Sequence, residues 1–151
     1  MRIPLLALIF QGIPEQIAVV TLVFVLTRIR LEWKKIVLFG IILAFAAYVL
    51  RLFPITFGIH TIVLIGLQFV FLVQLYQAPV IIALRGTLIA FLIFIVIEYI
   101  CFTLLIYLFD INFETYLNNI PTRILIGLPQ VFLLFTLSYI ILKVRSRREA
   151  K

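Results

Sequence analysis

Residues 79–109 read PVIIALRGTLIAFLIFIVIEYICFTLLIYLF, thirty-one positions in which Arg85 and Glu98 are the only formal charges. The hydrocarbon core of a bilayer is about 30 Å thick, and about 20 apolar residues of helix cross it. In lipid, backbone polar groups find partners only within a helix or a closed barrel. No alternation of period two marks a barrel strand here. The stretch predicts a transmembrane helix, and the other apolar runs have to be fitted around it.

Composition extends that reading to the whole chain. The 151 residues are 66% hydrophobic, with a mean hydropathy of +1.30, whereas soluble domains are roughly half apolar. Only 13% are charged, too few to coat a water-facing surface. The chain therefore predicts an all-α, polytopic integral membrane protein, one transmembrane helical domain over residues 1–151 with no catalytic domain beside it. A net charge of +7 does not point to nucleic acid, because the basic residues sit at the ends of apolar runs, as the positive-inside rule produces. Cys101 is the single cysteine, so no intrachain disulfide forms and the redox compartment stays open. Arg2 precedes an apolar stretch as in a signal peptide, but no small-residue cleavage pattern appears before Leu26. The segment is expected to be retained.

Taken in order, the apolar runs predict spans at 5–27, 36–51, 59–76, 80–109 and 121–142. Gln11-Gly12-Ile13-Pro14-Glu15 interrupts the first. Gly and Pro so close together kink a helix or restart it at Pro14, and a separate crossing by residues 3–12 would raise the count to six. Arg28, Arg30, Lys34 and Lys35 flank Trp33, an arrangement that marks the cytoplasmic side. Lys143, Arg145, Arg147 and Arg148 form a basic tail on that same side. The linker 52–58 is apolar enough to pack at the opposite interface through Phe53, Ile55 and Phe57. The loop carrying Asp110, Asn112, Glu114, Asn118 and Asn119 is polar and acidic, hence outside. The orientation expected is amino terminus out and carboxyl terminus in, in a bacterial cytoplasmic membrane.

Depth then singles out candidate site residues. Glu15 lies thirteen residues before Arg28 and Glu98 thirteen after Arg85, each about 20 Å from the cytoplasmic end. Arg51, His60 and Arg123 open or close spans at that outer level, and Gln130 follows two turns below Arg123. Charges in lipid cost about 3 kcal/mol each on insertion scales, so they pair inside a bundle and mark function. Glu15, Arg51, His60, Glu98, Arg123 and Gln130 are thus read as an outer ligand or signal pocket, with interhelical staples as the plainer alternative. Glu98 shares a helical face with Thr87 and with Cys101 or Phe102 and is expected to point inward, within reach of Arg51, His60 or Arg123. Gly40, Gly66, Gly86 and Gly127 are read as points of close helix approach.

Other chemistries lack their parts. His60 is the only histidine and Cys101 lies on another span, so no four-ligand zinc site is expected. Ser138 and Ser146 lie at the depth opposite His60, and Cys101 lies too far down for a Cys–His pair. Gly58 and Gly66 have no phosphate-loop context. Neither metal nor cofactor is expected, and no enzyme activity.

The stretches Gln11-Gly12-Ile13-Pro14-Glu15, Arg51-Leu52-Phe53-Pro54-Ile55-Thr56-Phe57-Gly58-Ile59-His60-Thr61 and Arg123-Ile124-Leu125-Ile126-Gly127-Leu128-Pro129-Gln130 resemble a known group. This is the amino-terminal membrane sensor region of Firmicutes-type sensor histidine kinases, those with a degenerate sporulation-phosphotransferase-like or peptide-pheromone-receptor-like kinase half. In that family a phosphoacceptor helix and an ATP-binding domain follow the membrane region. Neither a phosphoacceptor histidine nor ATP-binding glycines occur in these 151 residues. The resemblance implies a stand-alone sensing module that passes a signal to a cytoplasmic kinase or response regulator, with a homodimer as one arrangement. Two other classes stay open: a small transport component of the vitamin-importer substrate-binding type, typically with six spans, and a structural membrane protein.

The expected topology is checked by labelling cysteines introduced at Arg30, Asn118 and Lys151 in a Cys101→Ser background. Position 118 reacts with an impermeant maleimide from outside, and positions 30 and 151 react only after permeabilisation; the reverse pattern overturns the orientation.

Overall fold

From Ala18 to Phe24 the first helix is buried in every direction. These seven residues cover two turns, and none is more than 3% exposed. The helix is α1, Leu5–Thr27. It is followed by α2 (Trp33–Leu52), α3 (Ile59–Tyr76), α4 (Val80–Phe109), the short α5 (Phe113–Asn118) and α6 (Ile120–Glu149). The computed structural model describes residues 5–54 and 58–151, with Leu117 by its backbone alone. Among the described residues there is no strand, and five helices are long and apolar enough to cross a membrane. The architecture is that of an all-α, multi-pass membrane protein.

The break expected near Pro14 is absorbed within α1. Leu8–Gly12 forms a π-helical turn that closes when the Ile13 N–H donates to the Leu8 carbonyl. Proline has no N–H and crowds the carbonyl four residues back, and a wider turn accommodates both defects without ending the helix. Residues 5–27 therefore make one crossing and the six-span alternative falls away.

Two other boundaries moved for a common reason. Helix α2 opens at Trp33 rather than 36, and α6 continues through Lys143, Arg145, Arg147 and Arg148 to Glu149 instead of ending at 142. Apolar continuity measures the depth of lipid, whereas a helix continues wherever its residues favour it, and Lys and Arg do. Basic residues in the last turn also suit the helix dipole.

Helix α1 packs against α2, α4 and α6, and α3 completes the circuit between α2 and α4. Tyr76 of α3 reaches α1 edge-on to Phe24, at 5.0 Å between ring centroids. Each of the three direct neighbours presents a glycine to α1. A Cβ on Gly40 would fall 2.9 Å from the Ile17 Cα, one on Gly86 would overlap the Thr27 methyl, and one on Gly127 would fall 2.6 Å from the Gln11 amide. Gly66, on α3, has open space instead. The expectation of close approach is met at the three glycines facing α1 and corrected at Gly66, which looks outward from the one span without a broad contact to the central helix.

Two chemically distinct ends result. The link 28–32, the turn at Gln77–Pro79 and the extension of α6 form a basic end. The link from Phe53 and the short α5 lie at the other. Phe53, expected to pack against the bundle, is 59% exposed, because the chain is already extended there and leads away from α2. Ile55 and Phe57 lie outside the described residues.

These crossings predict that Gly40→Ala lowers thermal stability in detergent by about 1–3 kcal/mol, the range for overpacking. Gly66→Ala raises it by about 0.5–1 kcal/mol, since alanine is the better helix former. Equal effects of the two substitutions, measured by thermal melts, would show that the glycines are not the contact points.

Candidate functional site

The helix crossings fix which residues share a level. Gly86 meets Thr27 where α4 and α1 run antiparallel. Glu98 is twelve residues on from Gly86 and Glu15 twelve back from Thr27, so the two carboxylates lie side by side in depth. Tyr76 meets Phe24 where α3 and α1 run parallel. Gln68 and Gln16 lie eight residues before each of them, again level. Gly127 meets Gln11 on the parallel pair α6 and α1, which sets Gln130 beside Pro14 and Glu15. One polar layer thus draws on α1, α3, α4 and α6.

Most of it is buried. Gln68 is fully enclosed and Glu15, Gln16 and Gln130 are at most 7% exposed. Three hydroxyls elsewhere in the bundle are satisfied locally: Thr21, Thr27 and Ser138 donate to the carbonyls of Ile17, Val23 and Leu134, a common arrangement within helices, whereas Thr87 Oγ1 on α4 is buried without a partner. The layer differs. Both amide atoms of Gln68, Oε1 of Gln16 and Nε2 of Gln130 are buried with no hydrogen-bond partner. A buried unpaired polar group costs about 1–3 kcal/mol.

The sequence-predicted residues separate into two groups. Glu15 feels the charges of both Glu98 and Arg51, Glu98 feels Arg51, and His60 feels Arg51 as well. Arg51, exposed at the end of α2, is the cation near all three. Arg123 is not part of this group. Its guanidinium lies over the Tyr116 ring, 5.8 Å from the centroid, while Tyr116 packs edge-on against Phe102. The short α5 supplies that ring, and nothing in the spacing of Arg123 announces it.

Glu98 itself is a correction. Thr87 and Cys101 are buried and Phe102 half-buried, as expected of the inward face, but Glu98 is exposed. The buried stripe of α4 runs through Ala83, Thr87, Ala90, Phe94 and Cys101, and Glu98 sits on its flank. From Ile95 to Ile100 only Ile97 is even half-buried, so the cover on that side ends below Glu98. The carboxylate borders the layer from outside and does not project into its centre.

Gln16 and Gln68 were not foreseen as site residues. Gln16 adjoins Glu15, and Gln68 interrupts an apolar run, but only the crossings show that they are level. The basic anchors gather at one end. Arg28, Arg30, Lys34, Lys35, Lys143, Arg147 and Arg148 are exposed, and Arg145 is half-buried. No group of three or more His, Cys, Asp or Glu side chains able to hold a metal occurs among the described residues. The layer's chemistry is hydrogen bonding plus one enclosed carboxylate.

Compared with known protein families, curated proteins and solved structures, the chain matches none of them.

The coupling through Arg51 predicts non-additive effects. Arg51→Gln lowers the melting temperature by leaving Glu15 and Glu98 facing each other, and adding Glu98→Gln restores part of the loss, as a double-mutant cycle reads it. Strict additivity of the two changes would mean that these charges do not interact.

Proposed function

We propose that this protein is a membrane sensor module that takes a small polar signal molecule into the Glu15–Gln16–Gln68–Gln130 layer and passes the change to a cytoplasmic partner. The observation that carries this reading is the set of buried amide atoms without partners. A staple between helices would spend those amides on each other. Here they remain available at one level of an otherwise apolar interior, and polar groups kept inside a membrane mark function by default.

The route of output follows from the packing. Helices α1 and α6 run parallel through the layer and are joined at the basic end, where Arg145 Nη2 donates to the Val25 carbonyl at 2.7 Å. A rearrangement in the layer shifts this pair together and moves the basic extension of α6. On the proposed orientation, with the amino terminus out in a bacterial cytoplasmic membrane, that extension faces a kinase or response regulator. The resemblance to sensor-kinase membrane regions points the same way, and catalysis belongs to the partner. An importer subunit typically has six spans, and five helices here have the length and hydropathy to cross.

Gln68→Leu tests the reading, because it removes the unpaired amide and keeps the shape. Replacing an unsatisfied polar group by an apolar one of similar form is nearly neutral or stabilising, so the melting temperature holds or rises. On this reading a response regulator co-purifies with the chain, and in the Gln68→Leu variant its phosphorylation no longer depends on the signal. If Gln68→Leu instead destabilises by more than about 1 kcal/mol, the amide is a structural staple, since a made hydrogen bond contributes about that much.

A further inference from the structure

At the basic end, α1, the link after it and α6 border a shallow, open cleft of about 290 Å³, at the lower edge of the range of small-molecule sites. Three arginines converge on it from three segments: Arg28 at the end of α1, Arg30 in the link and Arg145 on α6. They arrive there by identifiable means. Arg28 adopts a left-handed conformation, φ 60°, and the Ile29 N–H then donates back to the Phe24 carbonyl at 3.1 Å. This closes the end of α1 and turns Ile29, Arg30 and Leu31 back along α6. Arg145 is held in place by its bond to the Val25 carbonyl, which leaves the rest of its guanidinium for the cleft.

The remaining walls are apolar. Ile29, Leu31 and Leu142 line the cleft, which runs along α6 from Leu142 to Glu149, seven residues or about 10 Å. Apolar and cationic side chains thus line the same cleft. Trp33, exposed at the start of α2 on the same end of the bundle, marks the headgroup level. A topology anchor needs only charge at this depth. It does not need three guanidinium groups gathered around an apolar trough. Lys34, Lys35, Arg147 and Arg148 meet the anchoring requirement from open helix surface.

From this geometry we infer that the cleft is a binding site for one anionic phospholipid, its phosphodiester held by Arg28, Arg30 and Arg145 and its acyl chains laid along Leu31 and Leu142. Guanidinium groups match phosphate oxygens two bonds at a time, and basic pockets between transmembrane helices hold lipid headgroups. Glu149 stands at the water-facing end. The same arginines would hold free phosphate, but a soluble anion gains nothing from the apolar wall.

Native mass spectrometry of the full chain tests this, with phosphatidylglycerol and phosphatidylcholine added in equal amounts. The expected result is retention of one phosphatidylglycerol in preference to phosphatidylcholine. Arg28→Gln with Arg30→Gln, both on exposed positions, reduces that retention by about tenfold or more, given the weight of each surface arginine for anionic lipid. Arg147→Gln with Arg148→Gln removes the same charge outside the cleft and changes little. Equal retention of the two lipids overturns the site, as does an equal loss in the tail variant. Displacement of the lipid by excess inorganic phosphate overturns the lipid assignment in favour of a free anion. The Arg145→Gln variant, read with the melting temperature alongside, separates loss of lipid from loss of the Val25 contact.

Discussion

The close approach of α2, α4 and α6 to the central helix sets the rest of the structure. Within a bilayer there is no hydrophobic force between helices, because lipid chains are as apolar as leucine. Association rests on van der Waals packing, which small residues make closer. Gly40, Gly86 and Gly127 supply that closeness against Ile17, Thr27 and Gln11, at the middle, the basic end and the opposite end of α1. The outcome is a helix that lipid scarcely reaches below Pro14. This explains how α1 carries Glu15, Gln16, Thr21 and Thr27 in one membrane span. Their polar atoms would be expensive against hydrocarbon and are enclosed here by protein.

That enclosure divides the buried polar groups into two kinds. The hydroxyls of Thr21, Thr27 and Ser138 bond to carbonyls of their own helix and ask nothing of their neighbours, while that of Thr87 is left unpaired. The amides of Gln16, Gln68 and Gln130 have longer arms, come from three helices and leave atoms unpaired at one level. Packing alone would favour leucine at each of these positions, since an apolar residue of the same size removes the cost of the unpaired groups. The unpaired atoms therefore cost stability and do not add to it. This imbalance gives the sensor proposal its physical footing.

The number of spans and the helical class were legible in the sequence because the bilayer imposes a length on apolar runs, and Arg28–Lys35, Gln77–Pro79 and Asp110–Asn119 interrupt them plainly. The identity of the central helix was not. Amphipathic periodicity separates core from water, but lipid and protein core are both apolar, so all five runs look alike on every face. Gly66 and Gly40 are equivalent as letters, and only the crossing distinguishes them. The same holds for the site. Glu15, Arg51 and Glu98 were found by depth, which the sequence carries. The level of Gln68 depends on helix register, and the ring under Arg123 is supplied by α5, neither of which the spacing carries. Helices α2 and α6 run past the apolar spans at Trp33 and Lys143, because hydropathy reports the lipid boundary and the backbone does not stop there.

The irregular turns of α1 and α6 sit at matching depth, and this bears on how a change in the layer would travel. Leu8–Gly12 is π-helical, and Gly127 and Pro129 lie inside α6, with Gly127 directly against Gln11. A proline within a helix removes one backbone bond and a π turn widens another, so both helices have their softest point here. On the basic side of that point the pair is regular, tightly packed and tied by Arg145 to the Val25 carbonyl. The polar layer lies just below the soft turns and above the tied end. On the sensor reading, a group binding between Glu15, Gln68 and Gln130 would meet little resistance above and a rigid pair below. The displacement then appears as a joint tilt or rotation of α1 and α6, delivered to the arginines of the basic end, where the proposed lipid holds the other side of the same joint.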